Sequence, residues 1–432
     1  MTSDEMVDRA ERFVLSTISS RARMHGVIIE SAKGSFLRDT EGKRYLDLGS
    51  GLWCAILGHS NPEFNKALTE QIEKIIHLGG GFWSTSVLEA AEQIASVTPE
   101  NLNKVALLCT GSEAGEFAIK MAKVLTGKYE IVGMERGYYG ITHGTLSASG
   151  QGTIHGMTSP RMTGCHKILT PYCYRCPVRE EYPGCDFLCL EVSKQLLDSN
   201  STGNIAGFIF EPILVSGGVI FPPEGYFKRL KQLANEYHAV LIDDEVTTGI
   251  GRTGEWFGIQ PYDVVPDVLF TSKTLGGGFP VAAVSTTPEI DAQLSEKHLS
   301  HSQSHLFDPL PAAAASVVIK IVKKERLVER SKKEGDYFLK RLNELKEKHE
   351  LVGDVRGKGL MLGIEMINSK NKSPNLEAGS RLETELFKRG VIASFSTYAS
   401  VLRILPPLTI EREEIDHAVD ALDDSLRKVA TE

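Results

Sequence analysis

The segment Glu224–Val246 reads EGYFKRLKQLANEYHAVLIDDEV and joins a helical pattern directly to a strand pattern. In its first part, apolar residues recur at helical spacing and share one face, at Phe227, Leu230, Leu233 and Ala234. In its second part, a short apolar run ends in acidic residues, as is typical of a strand that is buried on both faces. A helix that leads straight into such a strand is the repeating unit of α/β sheets, so the segment predicts that fold class.

Five more apolar runs repeat the strand pattern along the middle of the chain. They are VALLCTG at 105–111, YEIVGM at 129–134, AGFIFEP at 206–212, DVLFTSK at 267–273 and VAAVSTT at 281–287. Each is short and bounded by Gly, Asp or Pro, and helical patterns lie between several of them, so we interpret all six as buried parallel strands. The alternation predicts a large, doubly wound α/β domain with a mostly parallel sheet over residues 60–325.

The two ends of the chain have different patterns. GVIIESAKGSFLRDTEGKRYLDLGSG, at 26–51, predicts antiparallel strands with turns at Lys33-Gly34 and Glu41-Gly42. Near the other end, GDVRGKGLMLGIEMI at 353–367 predicts a strand pair that follows a long charged helix. The last pattern is an amphipathic helix with Ile415, Val419, Leu422 and Leu426 on its inner face. We assign residues 1–59 and 326–432 together to one smaller α+β lobe.

Composition and charge limit the partners and the location that we expect for the protein. The chain has 432 residues, of which 41% are hydrophobic and 24% are charged, and its net charge is −8. Acidic and basic residues are interspersed without a basic stripe, which argues against nucleic acid as a partner. The N-terminus lacks the apolar core of a signal peptide, and no apolar run approaches the length of a membrane span. We therefore expect a cytoplasmic protein with no membrane partner, whose seven cysteines are reduced.

Lys273 stands where a strand pattern ends, in DVLFTSKTLGGGFP at 267–280. A nucleotide-binding loop places its glycines before a Gly-Lys-Ser/Thr triplet, whereas here three glycines follow the lysine. The sequence around Lys273 therefore does not match a nucleotide-binding loop. Taken alone, Lys273 is compatible with an exposed lysine beside a flexible loop, or with a nucleophile held in a tight pocket.

Asp244 ends another strand pattern about thirty residues earlier. Ligands of open α/β sheets bind outside the carboxyl ends of the strands, so Lys273 and Asp244 can face each other across one crevice. That pair is what pyridoxal phosphate requires: a lysine that forms the Schiff base, and a carboxylate that keeps the pyridine nitrogen protonated. Asp244 alone is equally compatible with a helix cap or a turn.

Several long motifs resemble those of the class III aminotransferases, which are fold type I pyridoxal-phosphate enzymes. The motifs are LIDDEVTTGIGRTGEWFG with PDVLFTSKTLGGGFPVAAV, CTGSEAGEFAIKMAK, GYYGITHGTLSASG and FIFEPILVSGG. The resemblance extends from about Gly26 to the last helix. SHLFDPLPAAAAS, GDVRGKGLMLGIE and LRILPPLT are most similar to dialkylglycine decarboxylase, whereas SGLWCAILGH resembles amine–pyruvate aminotransferases.

The resemblance implies how the cofactor is held. Lys273 matches the Schiff-base lysine, which also carries the substrate proton, and Asp244 matches the partner of the pyridine nitrogen. Gly111 and Ser112 match the phosphate cup, where backbone N–H groups at a helix start bind the anion. Tyr138 matches the residue that stacks on one face of the ring.

Three further matches concern the cofactor and a second subunit. Val246 would press on the other face of the ring. Thr247 stands where the family usually has Gln in contact with the ring hydroxyl, and its side chain is shorter. Ser304 matches a Thr that reaches the phosphate of the neighbouring subunit, which implies a homodimer with shared active sites.

The remaining matches concern the substrate. Arg403 matches the arginine that binds an α-carboxylate in bidentate fashion. Ser216 stands where many relatives that use ω-amines carry a Glu that neutralises this arginine. Leu52 stands where the decarboxylase has a Gln that orients the leaving carboxylate, and Trp53 lies where amine aminotransferases shape the substrate pocket.

The expected function is therefore a pyridoxal-phosphate-dependent aminotransferase that moves an amino group from an amino acid or amine to a 2-oxo acid. Three alternatives use the same cofactor and stay open at this point. They are a decarboxylating transaminase of the dialkylglycine type, an amino-acid racemase and a pathway enzyme that forms carbon–carbon bonds.

Four cysteines cluster in YCYRCPVREEYPGCDFLC, at Cys173, Cys176, Cys185 and Cys189. Four thiolates can bind zinc. No histidine accompanies them, and their spacing is not one of the common zinc ribbons. The sequence therefore favours reduced thiols and predicts no metal, with the zinc site as the alternative.

Overall fold

The computed structural model describes residues 3–15, 25–79, 81–151 and 160–431. Its N-terminal part contains an amphipathic helix, an antiparallel three-stranded meander, a short kinked helical turn at Ser50–Trp53 and two longer helices. Their bounds are α1 Ser3–Phe13, β1 Ile29–Lys33, β2 Phe36–Asp39, β3 Arg44–Asp47, α2 Pro62–Lys74 and α3 Thr85–Ala95. The meander turns at the two predicted positions, since β1 pairs with β2 and β2 with β3, both antiparallel.

The middle of the chain forms a seven-stranded sheet with helices packed against it. The strands are β4 Lys104–Leu108, β5 Glu130–Met134, β6 Cys165–Ile168, β7 Ile205–Phe210, β8 Val240–Asp244, β9 Val268–Thr271 and β10 Ala282–Thr286. The helices are α4 Gly111–Thr126, α5 His143–Ala148, α6 Leu188–Asn200, α7 Tyr226–Glu236, α8 Pro288–Glu296 and α9 Pro309–Lys324. The sheet order is β4-β10-β9-β8-β7-β5-β6, and the pairs from β9 to β6 are all parallel. The mixed α/β fold with a mostly parallel sheet is confirmed.

Two details of the predicted sheet were wrong. Strand β10 runs antiparallel to both of its neighbours, β4 and β9. Only residues 272–281 separate β9 from β10, and a parallel connection needs a crossover of a dozen or more residues. Strand β6 was not predicted, because its sequence, CHKI, is only partly buried at the sheet edge and has no apolar run.

The C-terminal part forms a second antiparallel sheet and three helices. Their bounds are α10 Leu327–Lys348, β11 Val352–Lys358, β12 Met361–Met366, α11 Leu376–Lys388, β13 Val391–Ile392, β14 Ser394–Ser396, β15 Val401–Ile404 and α12 Arg412–Thr431. Strand β13 leaves this part and pairs in parallel with β3, with Val391 opposite Leu46. The two ends of the chain therefore share one sheet, while the predicted boundaries at 59/60 and 325/326 stay predictions. Among the described residues, no helix is both long and apolar enough to cross a membrane.

Helix α7 and strand β8 show why the opening segment folds as it does. The four apolar residues of α7, Phe227, Leu230, Leu233 and Ala234, are all buried. Every residue of β8 is also buried, including the two acids that end it. Burial on both faces is the usual environment of a central parallel strand, so the pattern of the sequence matches the packing.

Arg252 joins the large domain to the terminal segments and is fully buried. Its guanidinium group donates hydrogen bonds to the carbonyl oxygens of Leu360 and Pro406, and to Ser50 Oγ at 3.3 Å. Ser50 lies just before Trp53, and Pro406 lies shortly after Arg403. One buried side chain thus fixes the two backbone segments that carry predicted substrate residues.

We predict that Arg252→Ala lowers the free energy of unfolding by about 2–4 kcal/mol, because two buried carbonyl groups lose their donor and a cavity remains. Urea denaturation of the wild type and the variant measures the difference. The control is Lys66→Ala, an exposed helix residue 3.9 Å from Glu70, which we expect to stay within about 0.5 kcal/mol of the wild type. An Arg252→Ala protein as stable as this control would contradict the prediction.

Candidate active site

A cavity of about 150 Å³ opens at the carboxyl edge of the large sheet, where β7, β8 and β9 end and α4 begins. Its wall is formed by Thr110, Gly111, Ser112, Tyr138, Tyr139, Gly140, Glu211, Ser216, Asp244, Val246, Thr247, Ser272 and Lys273. Eight of the predicted site residues are in this wall. Parallel strands place their carboxyl ends at one edge, which is why residues far apart in the sequence meet here.

Lys273 begins a 3₁₀ turn, Lys273–Gly276, two residues after β9 ends. Its φ of 28° lies in the left-handed region, which is uncommon for non-glycine residues. Its Nζ donates a hydrogen bond to Thr247 Oγ1 at 3.0 Å. Burial lowers the pKa of Lys273, while the negative charge of Asp244 opposes this effect. Loss of water thus favours the neutral, nucleophilic amine.

Asp244 ends β8 and is buried, with its Oδ1 accepting a hydrogen bond from the Val246 N–H at 2.9 Å. Burial raises the pKa of Asp244 to about 7, against the opposing effects of that hydrogen bond and of Lys273. Glu211, which follows β7, is also buried, and its Oε1 accepts the N–H of Tyr138 at 2.9 Å. Burial, together with repulsion from Asp244, raises the pKa of Glu211 to about 8. The cavity therefore holds two carboxyl groups that lack full compensation for burial.

The first turn of α4 faces the same cavity. Thr110 caps the helix and forms a capping box with Glu113, so the helix start is well defined. A side chain at Gly111 would come within 3.1 Å of Val246, so the backbone there packs closely against the cavity wall. Ser112 Oγ accepts the N–H of Ile141 at 3.0 Å. The first N–H groups of a helix lack partners within it, and they form a ready site for an anion.

Trp53 and Arg403 lie next to this wall. Lys273 Nζ is 4.7 Å from the centroid of the Trp53 ring, and the guanidinium carbon of Arg403 is 5.0 Å from the same ring. Arg403 is buried on β15 and donates a hydrogen bond to Ser394 Oγ at 2.8 Å. Its positive charge contributes to lowering the pKa of Lys273. Segments from the two ends of the chain thus bring an indole and an arginine close to the Lys273 amine, and both cations contact the same ring.

Two predicted residues are separate from the cavity wall within one chain. Leu52 is adjacent to Trp53, but 55% of its surface is exposed. Ser304 is exposed on the segment that follows α8 and precedes α9. Their predicted roles stay predictions, and the role of Ser304 concerns a second subunit.

Glu211 was not among the predicted site residues. It follows the buried strand β7 directly, so the rule that identified Asp244 also applies to it. Thr110, Tyr139, Gly140 and Ser272 were missed as well, since they gain their place in the wall through neighbours from other elements.

The donor set fits pyridoxal phosphate. The N-terminus of α4 offers N–H groups to a phosphate, and Asp244 offers a carboxylate to a protonated ring nitrogen. Lys273 offers the amine, and Tyr138 and Val246 contribute side chains to the wall. A bound ring cation beside Asp244 would also supply the counter-charge that this buried carboxylate lacks.

Aminotransferases are similar to this chain in both sequence and structure. The family model "Aminotransferase class-III" matches residues 17–426. An uncharacterized aminotransferase of Schizosaccharomyces pombe is 38% identical over 94% of this chain and 91% of its own length. A leucine/methionine racemase of Thermococcus litoralis is 34% identical over 99% of this chain and 96% of its own length. The crystal structure of a PLP-bound amine transaminase from an uncultivated Pseudomonas species superposes with a TM-score of 0.87, at 28% identity, over 93% of this chain and 95% of that one.

The raised pKa of Glu211 predicts how stability depends on pH. The folded, cofactor-free protein binds this proton more tightly than the unfolded chain, so the free energy of unfolding should fall as pH rises from about 4.5 to about 8. Glu211→Gln should reduce that fall by an amount on the order of 1–3 kcal/mol, because the amide carries no charge at any of these pH values.

Urea denaturation of the cofactor-free protein at pH 5 and pH 8.5 measures the effect. Glu296→Gln, at an exposed position of α8, is the matched control and should leave the pH dependence unchanged. An equal fall in wild type and Glu211→Gln would contradict the assignment.

Proposed function

Because this chain belongs to the class-III aminotransferase family, we propose that its amino donor is an α-amino acid whose carboxylate is bound by Arg403. The chain is a pyridoxal-phosphate-dependent enzyme that moves an amino group between an amino acid or amine and a 2-oxo acid. The observation that carries the proposal is the series of contacts from Lys273 through Trp53 to Arg403. It puts a cation that binds carboxylates close to the amine that reacts.

The substrate side of the site is assigned as follows. Arg403 would bind the α-carboxylate through two parallel hydrogen bonds and so orient the substrate towards Lys273. Ser216 in the cavity wall is not an acid, so it does not compete for the arginine. Trp53 contacts both Lys273 and Arg403, and its ring is assigned to form an apolar side of the substrate pocket.

Lys273 is assigned to hold the cofactor and to move the substrate proton. Bound pyridoxal phosphate supplies electron withdrawal from the α-carbon of the substrate. Lys273 Nζ accepts the α-proton and later returns it, and its lowered pKa favours this exchange near neutral pH. Thr247 Oγ1 orients the amine, and Asp244 keeps the ring nitrogen protonated.

Racemisation is the second candidate, because the racemase of Thermococcus litoralis is 34% identical to this chain over nearly its full length. It would use the same loss of the α-proton but return it to the other face. Incubation of one L-amino acid without a 2-oxo acid distinguishes racemisation from transamination, because appearance of the D-enantiomer over many turnovers indicates racemisation.

Decarboxylation finds less support, since Leu52 offers no polar group to a leaving carboxylate. No particular feature of the site favours carbon–carbon bond formation.

A homodimer is also part of the proposal. Ser304 is exposed, and an apolar surface lies close to it: Trp83 packs edge-on against Phe307 at 5.5 Å and is 70% exposed, beside the exposed Phe82. Adjacent large apolar side chains on a surface are typical of a protein interface. This arrangement supports a second copy of the chain as the partner, with Ser304 reaching its phosphate site.

The lysine assignment predicts that Lys273→Ala loses turnover by about 10³-fold or more, since both the covalent anchor and the proton carrier are removed. Borohydride treatment of the wild-type holoenzyme followed by peptide mapping should find the label on Lys273. The matched control is Lys167→Ala, because Lys167 also has a pKa lowered by burial, to about 8, but is not in the cavity wall. A label on another lysine, or an active Lys273→Ala protein, would refute the assignment.

The substrate assignment predicts a selective effect of Arg403→Ala. The KM for α-amino acids should rise by about 10- to 100-fold, because charge-assisted hydrogen bonds are lost, while amines without a carboxylate should change little. Arg403→Lys keeps the charge but not the bidentate geometry, so its KM for α-amino acids should lie between those of the wild type and of Arg403→Ala. Equal loss with both substrate classes would show that Arg403 does not bind the carboxylate.

The dimer proposal predicts that light scattering finds twice the mass of one 47.4 kDa chain. Trp83→Asp should shift the protein towards monomer and lower activity in parallel, because a charge is then placed in the apolar interface. Leu376→Asp, at another exposed apolar side chain, should leave the mass unchanged. A fully active monomer would overturn the shared site.

A further inference from the structure

Four cysteines that are distant from the active-site cavity meet around a second, much smaller cavity. Cys173 and Cys176 lie on and just after the 3₁₀ turn Cys173–Arg175, and Cys185 and Cys189 lie before and within the first turn of α6. All four line one cavity of about 20 Å³, and none of them forms a disulfide. The rest of its wall is mainly apolar: Pro171, Tyr172, Pro177, Val178, Phe187 and Pro223.

The size and the wall of this cavity limit what it can hold. A volume of about 20 Å³ has room for one atom-sized occupant. Water needs two to four polar partners, whereas this wall is mainly sulfur and hydrocarbon. Thiolate sulfur prefers soft or borderline metal ions, of which zinc takes four ligands in a closed shell when its role is structural.

Two geometric features of the cluster suit metal-bound thiolates. The Glu180 N–H donates a hydrogen bond to Cys176 Sγ at 3.4 Å. Cys189 lies in the first turn of α6, where the helix dipole favours negative charge.

The sulfurs are farther apart than the ligands of one bound ion. Among the described residues, the only group of three or more His, Cys, Asp or Glu side chains whose donor atoms all lie within 4.8 Å of one another is His77, His305 and Asp308. In that group both histidines are hydrogen-bonded to Asp308 at 2.6 Å, which accounts for their proximity without an ion. A zinc site therefore requires the cysteine side chains to move towards one another when the ion binds; Cys173 is exposed, and Cys176 and Cys185 are half-buried.

We propose that Cys173, Cys176, Cys185 and Cys189 bind one zinc ion in a structural tetrathiolate site. Binding replaces the thiol protons, which are released to solvent, and forms four Zn–S bonds without any change of oxidation state. The sequence alone favoured free thiols because of the unusual spacing. The position of all four cysteines in the wall of one small cavity is the observation that changes this preference.

The position of the cluster indicates what the zinc would stabilise. Tyr172 precedes the 3₁₀ turn Cys173–Arg175, and Arg175 ends it. Both side chains donate hydrogen bonds to the buried Glu365 on β12. Arg356 donates to Tyr172 Oη at 2.8 Å and to the carbonyl oxygen of Gly218 at 2.6 Å. The cysteine segment thus connects the large domain to the C-terminal sheet, and zinc would hold that connection in place.

The test uses the full-length holoenzyme, purified without metal-affinity resin or added metal. Elemental analysis should find about one zinc per chain, and mercurial modification of the thiols should release it. Cobalt substitution should give the intense near-ultraviolet absorption of a cobalt–thiolate bond. Cys176→Ser and Cys185→Ser should lose the metal and lower the Tm, whereas Cys109→Ser and Cys165→Ser, outside the cluster, should retain both.

If the serine variants do not fold, the wild type supplies the same test. A strong chelator should lower its Tm and expose four more reactive thiols out of the seven that the chain contains. The proposal is overturned if the protein contains no zinc while all seven thiols react, if iron or a disulfide is found in the cluster, or if zinc persists in both Cys176→Ser and Cys185→Ser. None of these results depends on the amino donor that the enzyme uses.

Discussion

The active site depends on one constraint, the burial of ionisable groups where parallel strands end together. Strands β7, β8 and β9 deliver Glu211, Asp244 and Lys273 to a single cavity with little access for water. Each charged form is disfavoured there, so the pKa values of both acids rise and that of the lysine falls. A cofactor with a ring nitrogen, an aldehyde and a phosphate complements these groups, because it supplies opposite charge to Asp244 and a covalent partner to Lys273.

The side of the site that we propose for the substrate comes from the terminal segments of the chain. Trp53 comes from the N-terminal segment and Arg403 from a C-terminal strand, and they meet because the two ends of the chain share a sheet and are both held by Arg252. The cofactor groups, in contrast, come from the large domain. Changes in the terminal segments can therefore alter the surroundings of Arg403 without altering the residues that β7, β8 and β9 bring to the cavity.

The cysteine segment adds a third connection between these parts. Its turn contacts Glu365 on the C-terminal sheet, and Arg356 links the same network to Gly218, which lies two residues after Ser216 of the cavity wall. Hydrogen bonds thus join this segment both to the C-terminal sheet and to the loop that carries Ser216. A stabilising ion there would act on the lobes through packing and hydrogen bonds, since the cysteines are not in the wall of the active-site cavity.

The sequence by itself determined the α/β class, the family and the Lys273–Asp244 pair, because these follow from local periodicity and from long ordered motifs. Only the tertiary structure decided the antiparallel direction of β10, the presence of Glu211 in the cavity wall and the contacts that connect Lys273 to Arg403 through Trp53. It also decided that four unusually spaced cysteines surround one cavity. The physical reason is the same in each case: these features depend on contacts between segments that are far apart in the chain, and local pattern carries no information about such distances.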